Sequence, residues 1–250
     1  MNSSRAAHHV QYTKFSSGLQ RDRCGAAVAL VTPFFYYKAF LGDRMLVTFE
    51  GIDFSGKSTQ AKRFFDRLIA GGRSAHFVRD PGGTAIGEQI RRILLDPSIS
   101  GMNERTELFL FSASRSQLVA EQILPFVRKG TVVVCDRFYD STTAYQGGGR
   151  GIPLEDIAAI NKCASFGLVP TATYLLDIPV DELERRLSEG KASKDRMESN
   201  AKDFYERVRR AYLALAASDR RFVVLEGTRS ITELQEKVWE HFVAIAATTA

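Results

Sequence analysis

Four residues, Gly51, Gly56, Lys57 and Ser58, have the types and the spacing of a loop that binds phosphate groups, Gly-x-x-x-x-Gly-Lys-Ser/Thr. In such a loop, glycines let backbone N–H groups point at phosphate oxygens, and the following helix N-terminus adds partial positive charge. The lysine reaches the β- and γ-phosphates, and the serine hydroxyl ligates Mg²⁺. The pattern predicts a site for a nucleoside triphosphate. The predicted loop residues are Gly51, Ile52, Asp53, Phe54, Ser55, Gly56, Lys57, Ser58 and Thr59.

The segments on either side of this loop fit the strand–loop–helix context that the motif requires. Residues 45–49 are short, apolar and rich in β-forming types, which predicts a strand. After the loop, apolar residues recur with helical spacing at 64–69, and Gly71 and Gly72 end the pattern. A glycine-rich turn that contains a lysine by chance would not be expected to lie between a strand and a helix, so the context supports a phosphate-binding loop.

Strands alternate with helices through the rest of the chain, which predicts an α/β fold. The expected architecture is a five-stranded parallel sheet covered by helices on both faces, in one domain over 45–250. Ligands in such sheets bind at the carboxyl ends of strands, where Arg79, Asp80, Asp136 and Arg137 are expected beside the loop. The other predicted strands are 75–78, 131–135, 172–177 and 222–225, and the predicted helices include 103–129, 154–166, 201–217 and 231–246.

Residues 1–44 form an N-terminal extension that differs in composition from the rest of the chain. The extension has six basic and two acidic residues, so it carries four of the five net positive charges. It fits a dispensable or artefactual extension, a disordered tail or a targeting peptide, and we expect the domain to begin at Met45. The remaining 206 residues are close to neutral, so no nucleic-acid partner is expected.

The composition also excludes several classes of protein. No segment is long and apolar enough to suggest a membrane span, because the best candidate is interrupted by Pro33. The three cysteines show no paired spacing, which argues against structural zinc and favours a reducing compartment such as the cytoplasm.

A second binding site must be inferred from the other strand ends. Arg79, Arg91 and Arg137 offer guanidinium groups suited to a second phosphate. Phe111 and Arg115 lie four residues apart on one helix, hence on one face. The spacing alone leaves two possibilities open: a core phenylalanine with a solvated arginine, or a ring that stacks on a base beside an arginine that reads it.

Taken together and in order, the motifs over residues 45–246 resemble those of the bacterial thymidylate kinases, which belong to the P-loop nucleoside monophosphate kinases. The later motifs are weak singly and specific as a set. The matching stretches are Phe49-Glu50-Gly51-Ile52-Asp53, Ser55-Gly56-Lys57-Ser58-Thr59-Gln60, Arg79-Asp80-Pro81-Gly82-Gly83-Thr84, Leu110-Phe111-Ser112-Ala113-Ser114-Arg115, Asp136-Arg137-Phe138, Ala144-Tyr145-Gln146-Gly147-Gly148-Gly149-Arg150-Gly151 and Asp195-Arg196-Met197-Glu198.

The resemblance implies a reaction between ATP and dTMP, and it assigns roles to residues that spacing leaves ambiguous. Phe111 becomes the residue that stacks on thymine and Arg115 the one that reads the base. Tyr145 falls where the family packs an aromatic ring beneath the sugar 2′ position. The resemblance also implies a homodimer that forms through the helix at 103–129. The implied dTMP ligands are Arg79, Asp80, Arg91, Phe111, Arg115, Arg137, Ser141, Thr142, Tyr145 and Gln146.

Transfer between two phosphates needs alignment and neutralisation of charge more than covalent chemistry. Lys57 and Arg137 are the expected catalytic cations. The phosphate loop has no other basic residue, so a third cation is expected from a short mobile lid at about 185–198, for which we favour Arg196 over Lys191 and Lys194. The predicted Mg²⁺ ligands are Ser58, with Asp53 and Asp136 acting through water.

Three departures from the family pattern bear on these expectations. Asp80 stands where the bacterial family usually has glutamate, one methylene longer. Phe54 stands in the phosphate loop where a small residue is usual. The lid has Glu189 at a position that is often basic, and it is slightly longer before Asp195.

Two alternatives remain open. A kinase for another nucleoside monophosphate would share the loop and the sheet but should lack Phe111, Arg115 and Tyr145. The other alternative is a catalytically silent nucleotide-binding or assembly protein, and the presence of Lys57, Ser58 and Arg137 argues against it.

Overall fold

A computed structural model describes residues 45–189, 196–197 and 201–249, all of which fall within one compact unit. The predicted extension, residues 1–44, lies outside the described residues and remains a prediction. Within the described part, no helix combines the length and the apolar character needed to cross a membrane.

Five parallel strands form a single sheet in the order β2-β3-β1-β4-β5. This confirms the predicted sheet. The order places β1 at the centre, with β3 on one side and β4 on the other. The successive strands β2 and β3 lie side by side, as do β4 and β5, whereas β3 separates β1 from β2 and β1 separates β3 from β4. The strands are β1 Leu46–Glu50, β2 Ala75–Arg79, β3 Val132–Asp136, β4 Ala172–Asp177 and β5 Phe222–Glu226.

Helices follow every strand, as the alternating pattern predicts. Two of the helical runs include π-helical segments, Val119–Ile123 and Thr143–Gly149. The α-helices are α1 Lys57–Ala70, α2 Ala85–Leu95, α3 Glu104–Leu118, α4 Leu124–Arg128, α5 Tyr139–Thr142, α6 Leu154–Ala164, α7 Val180–Glu189, α8 Lys202–Ser218 and α9 Ile231–Thr249.

The central strand is buried on both faces because its successive side chains enter opposite cores. On one face Phe49 packs with Phe64 of α1 and with Phe242 of α9. On the other face Leu46 packs with Leu118, at the end of α3. A strand with two buried faces is apolar without alternation, which explains the run of valines in β3 as well.

The long helix predicted for 103–129 is present as one helical run, from Glu104 to Arg128, that contains a π-helical turn. Pro125 is the second residue after that turn. Proline lacks the N–H that would bond one turn back, and its ring crowds the preceding carbonyl. The wider turn at Val119–Ile123 opens the hydrogen-bond ladder at this point.

Two helical regions were not predicted. The first is the run from α5 through Gly149, a stretch that includes several glycines and for which the sequence predicts no helix. A Cβ at Gly149 would lie 2.5 Å from the ring of Phe204, so the small residue here lets α8 approach closely. The second is α7, which takes in residues 185–189 from the start of the predicted lid. Lid residues 190–195 and 198 lie outside the described part.

Candidate active site

A cleft of about 500 Å³ opens at the carboxyl ends of β1, β2 and β3, where the predicted chemistry was expected. Most of the predicted residues border it. Among the described residues Leu95, Pro81 and Met197 also border it, and the motifs did not assign these three to binding. The predicted residues that border the cleft are Asp53, Phe54, Gly56, Lys57, Ser58, Thr59, Arg79, Asp80, Arg91, Phe111, Asp136, Arg137, Ser141, Thr142, Tyr145 and Gln146.

The phosphate loop connects β1 to α1 through backbone conformations that only glycine adopts easily. Gly51 has φ +143°, and a Cβ there would lie 2.5 Å from the carbonyl oxygen of Leu176. Gly56, just before α1, has φ +91°, and no side chain caps this helix N-terminus. The first N–H groups of α1 are therefore available to an anion, as the motif requires.

Lys57 is buried at the floor of this loop, and its ammonium group donates to the carbonyl oxygen of Ile52 at 3.4 Å. Burial and the positive charge of Arg137 lower the pKa of Lys57 to about 8. Triphosphate oxygens would stabilise the charged form of this lysine, so binding of the donor and protonation of Lys57 should be coupled.

Phe54, one of the departures from the family pattern, lies in the left-handed region with φ +58°. A bulky residue is strained there, whereas a glycine would not be. The carbonyl oxygen of Phe54 accepts a hydrogen bond of 2.9 Å from Arg186 of α7, and the same guanidinium group donates to Gly227. Arg186 thus holds the loop in a conformation that Phe54 itself disfavours.

Arg137 follows β3 and is also left-handed, with φ +68°. Its guanidinium group donates to Asp53 at 2.5 Å and to the carbonyl oxygen of Gly51 at 2.9 Å. Strained backbone of this kind is found where a functional side chain must point in one direction. The contacts attach Arg137 to the phosphate loop on one side while it borders the cleft on the other.

Asp53 connects the phosphate loop to the opposite wall. One carboxylate oxygen accepts from Arg137, and the other accepts from the hydroxyls of Tyr145 and Tyr205, each at 3.1 Å. Burial opposes ionisation of this group, but the charges of Arg137 and Lys57 hold the pKa of Asp53 below its usual range. Asp53 is therefore an anionic group that lies between Lys57 and Arg137, the two cations predicted to be catalytic.

Behind Arg137 lies Glu50, a buried carboxyl group that accepts from the hydroxyls of Ser141 at 2.6 Å and Tyr212 at 2.8 Å. These two hydroxyls also contact the Arg137 guanidinium, at 3.1 and 3.4 Å. Burial and the charge of Asp140 raise the pKa of Glu50 to about 7. Glu50 thus acts on Arg137 through intermediate hydroxyl groups.

On the acceptor side of the cleft, two of the three arginines proposed for the monophosphate lie near the turn after β2. Arg79 donates to Glu88 at 3.1 Å, and this pair is nearly half exposed. Arg91 donates to the carbonyl oxygen of Pro81 at 3.0 Å. Both arginines border the cleft together with Phe111 and Gln146.

Arg115, which the resemblance makes the base reader, is not among the residues that border the cleft. Its side chain is 1% exposed and donates to Asp80 at 2.6 Å, to Thr142 at 2.8 Å and to Asn161 at 3.2 Å. Its guanidinium group therefore lies behind Asp80 and Thr142, which do border the cleft. A direct contact between Arg115 and a base remains a prediction.

The lid cation favoured from the sequence, Arg196, is held away from the phosphate loop in this structure. Its guanidinium group pairs with the buried Glu107 at 2.7 Å and donates to the carbonyl oxygen of Leu94 at 2.7 Å. Arg196 does not border the cleft, while Met197 does. Lys191 and Lys194 lie outside the described residues.

The proposed Mg²⁺ site can be judged from the donor groups. Asp136 has a buried carboxylate oxygen with no hydrogen-bond partner among the described residues, and Ser58 is exposed at the cleft. An unpartnered carboxylate oxygen and a hydroxyl fit a cation that keeps several waters and takes the rest of its ligands from phosphates. Asp53 is already hydrogen-bonded through both oxygens, so it suits only a contact through water.

Several residues that shape the site carried no local signal in the sequence. Glu50 stands in the first motif, but its buried position follows only from the fold. Glu107, Tyr205 and Tyr212 come from α3 and α8, far from the residues that they contact. The helical pattern of the sequence shows on which face of its helix each of these residues lies. It does not show which residue of another helix or strand each one contacts.

The fold and the cleft together define a class of protein. A phosphate loop lies between β1 and α1 of a five-stranded parallel sheet, and arginines and an aromatic ring face it across one cavity. That arrangement is characteristic of the P-loop nucleoside monophosphate kinases, in which two phosphate-bearing ligands meet.

Comparison with known proteins identifies the family within that class. The model of the thymidylate kinase family matches residues 49–238. A thymidylate kinase of Kosmotoga olearia is 42% identical over 79% of this chain and 95% of its own length. One from Thermosipho melanesiensis is 46% identical over 75% of this chain and 92% of its own length. The chain belongs to the thymidylate kinase family.

Proposed function

We propose that this protein transfers the γ-phosphoryl group of ATP to dTMP, which gives ADP and dTDP for the synthesis of dTTP and of DNA precursors. The observation that carries the proposal is the position of Arg137. It is attached to the phosphate loop through Asp53 and Gly51, and it borders the same cavity as Arg79, Arg91 and Phe111. A cation at that place can contact the donor and the acceptor phosphates together.

On the donor side, the N–H groups at the start of α1 and the Lys57 ammonium group hold the β- and γ-phosphates. Mg²⁺ would be held by Ser58, and through water by Asp136 and Asp53, where it would neutralise charge on the phosphates. The attacking atom is a phosphate oxygen of dTMP. Such an oxygen is already anionic, so no strong general base is needed.

On the acceptor side, Arg79, Arg91 and Arg137 bind the monophosphate, and Phe111 stacks on thymine. Gln146, with Ser141 and Thr142, contacts the base or the sugar, and Asp80 and Arg115 form the wall behind them. The ring of Tyr145 packs beneath the sugar C2′ and excludes a ribose hydroxyl. The support for these roles is that all of these residues except Arg115 border one cavity.

Arg196 is proposed as the lid cation that acts during transfer. To do so, it must leave Glu107 and the carbonyl oxygen of Leu94, the partners that it has in the present conformation. A lid that moves when both substrates are bound would give this exchange and would exclude water from the reacting phosphates.

The decisive experiment is a coupled assay of ADP release, run with dTMP, dUMP, UMP, CMP, AMP and GMP as acceptors. The proposal predicts that kcat/KM is highest for dTMP. A higher value for UMP, CMP or a purine monophosphate would identify a kinase of different specificity. ATP binding without ADP release for any acceptor would instead favour a nucleotide-binding or assembly protein.

We also propose that the protein is a cytoplasmic homodimer that forms through the face of α2 and α3. Phe109 of α3 is 57% exposed and Ile86 of α2 is 51% exposed, and the two helices pack against each other, so this face offers apolar side chains to a second copy. Among the described residues Cys135 and Cys163 are free, as expected in a reducing compartment. Sedimentation of the wild-type protein and of a Phe109→Lys variant tests the dimer, since the variant should sediment as a monomer.

A further inference from the structure

Glu107 is a buried carboxylate that the proposed reaction does not use. Its side chain is 2% exposed, in the first turn of α3, and it connects three segments of the chain. Gln146 donates its amide N–H to Oε1 at 2.9 Å, Arg150 donates to the same oxygen at 3.2 Å, and Arg196 pairs with Oε2 at 2.7 Å. Gln146 is the only one of these partners that borders the cleft among the described residues.

The two arginines determine which hydrogen bonds Glu107 can make. Burial opposes its ionisation, but the hydrogen bonds from Arg150 and Gln146 hold the pKa of Glu107 below its usual range. An ionised carboxylate has acceptors and no donor. A glutamine amide next to it must therefore turn its NH₂ group toward the carboxylate, because the opposite orientation would bring two oxygens together.

We propose that Glu107 is a positioning residue that fixes the orientation of the Gln146 amide and thereby selects the hydrogen-bonding pattern of the nucleobase. Because Glu107 holds the NH₂ group of Gln146, only the side-chain carbonyl oxygen of Gln146 remains to contact a base in the cleft. That oxygen accepts from a base with an N–H at ring position 3, as thymine has. Cytosine presents a lone pair at the same position and is disfavoured. The inference rests on the proposed function, in which Gln146 faces the base.

The test uses dTMP and 5-methyl-dCMP, two acceptors of nearly the same shape that differ at ring positions 3 and 4. The quantity measured is the ratio of their kcat/KM values in the wild type and in Glu107→Gln. A neutral amide at position 107 can face Gln146 with either end, so the orientation is no longer fixed. We expect the ratio of kcat/KM for dTMP to kcat/KM for 5-methyl-dCMP to fall by about tenfold or more in the variant. The reason is that a freely oriented Gln146 amide no longer leaves the cytosine ring without a hydrogen-bond partner.

The matched control is Glu104→Gln, which removes the same charge one turn earlier on α3, at an exposed position. This variant should keep the wild-type ratio. A general loosening of the site would lower kcat/KM for both acceptors in proportion, whereas loss of amide orientation changes their ratio. An unchanged ratio in a folded Glu107→Gln protein would overturn the proposal.

A second variant covers the case in which Glu107→Gln does not fold. The double variant E107Q/Q146E exchanges the two groups, so that the amide stands at position 107 and the carboxylate at position 146. The carboxylate beside the base can only accept hydrogen bonds. The preference for dTMP should then equal or exceed that of the wild type, and a preference that falls would overturn the proposal. The failure of the proposed function is separate, since it would appear as poor use of dTMP by the wild type itself.

Discussion

Asp80 and Arg115 form an ion pair with 2.6 Å between Oδ2 and Nε, and each side chain is only 1% exposed. The pair joins the turn after β2 to α3, and no other carboxylate contacts Arg115 among the described residues. Asp80 is the position at which this chain departs from the glutamate usual in its family. The shorter side chain is therefore long enough to satisfy a buried guanidinium group.

Replacing Asp80 by asparagine should destabilise the protein strongly. The substitution keeps the shape and leaves the Arg115 charge buried without compensation, so the free energy of unfolding should fall by about 3–5 kcal/mol. Urea denaturation measures the change. Asp66→Asn is the control, because it breaks an exposed pair with Lys62 and should cost less than about 1 kcal/mol. Equal effects of the two substitutions would mean that Arg115 finds another partner.

Lys57 gives the reaction a pH dependence that can be measured in the free enzyme. The lowered pKa of about 8 means that the ammonium charge is present below that pH and is lost above it. kcat/KM for ATP should therefore fall by about tenfold per unit above pH 8. At saturating ATP, the bound phosphates keep Lys57 protonated, so kcat should fall only at higher pH.

Variants of the lysines on α1 separate this effect from general changes in stability. Lys57→Ala should lose nearly all transfer while the protein stays folded, and its residual activity should lack the fall above pH 8. Lys62→Ala, on the exposed face of the same helix, should behave as the wild type does. If kcat/KM for ATP in the wild type stays constant up to pH 10, Lys57 does not lose its charge in this range and the prediction is wrong.

Most of the fold could be predicted because the local pattern and the tertiary structure agree. The apolar run of β3 and the glycine spacing of the phosphate loop each allow few arrangements. The helical run at 139–149 could not be predicted, since glycines usually break helices and the close approach of α8 that requires them is a long-range contact.

Most of the residues that the sequence assigns to the site border the cleft, whereas the contacts behind the cleft were not predicted. Spacing places Phe111 and Arg115 on one face of α3, but it does not show that Thr142 and Asp80 stand between Arg115 and the cavity. The sequence likewise favours Arg196 as a free cation, and the structure gives it the partner Glu107. Buried partners on distant elements are what a single sequence does not reveal.

Glu50 should make stability depend on pH in the sense opposite to that of most carboxylates. Its pKa is raised from 4.5 to about 7, so the folded state binds a proton that the unfolded state has already lost between these values. Stability from this group is therefore greatest below pH 4.5 and declines as pH rises through 7, by about 3 kcal/mol.

Comparison of the wild type with Glu50→Gln isolates this contribution. The variant has no ionisable group at this position. The free energy of unfolding of the wild type minus that of the variant should therefore be larger at pH 5 than at pH 8. Urea denaturation at both pH values measures it, and Glu104→Gln serves as an exposed control that should show no such change. A difference that is constant with pH would mean that Glu50 ionises as an exposed glutamate does.

Arg196→Ala distinguishes a catalytic lid cation from a structural anchor. If Arg196 leaves Glu107 and acts in the transition state, kcat should fall by about 10²-fold or more with a smaller change in KM for dTMP. If the residue only anchors the lid on α2 and α3, KM should rise while kcat is nearly unchanged. Steady-state kinetics with both substrates varied separates the two. Lys191→Ala and Lys194→Ala test the other candidate cations in the same way.

Tyr145 combines two roles that different substitutions should separate. Its ring is 5% exposed and packs at right angles to Tyr212, while its hydroxyl donates to Asp53 at 3.1 Å and lies 3.3 Å from an Arg137 nitrogen. The ring occupies the space beneath the proposed sugar position. The hydroxyl holds the anion that orients Arg137.

Tyr145→Ala should narrow the preference for dTMP over ribothymidine monophosphate. A buried hydroxyl without a partner costs about 1–3 kcal/mol, which corresponds to about 5- to 150-fold in kcat/KM. Removing the ring lets water reach the 2′-hydroxyl and should recover most of that factor for the ribonucleotide, while dTMP itself binds less well because packing is lost.

Tyr145→Phe keeps the ring, so it should keep the preference for dTMP. It should lower kcat for both acceptors by about tenfold, because Asp53 and Arg137 lose a hydrogen bond. Measured kcat/KM values for both acceptors in the three proteins decide the matter. A preference that survives Tyr145→Ala would assign sugar selection to Ser141, Thr142 or Gln146 instead.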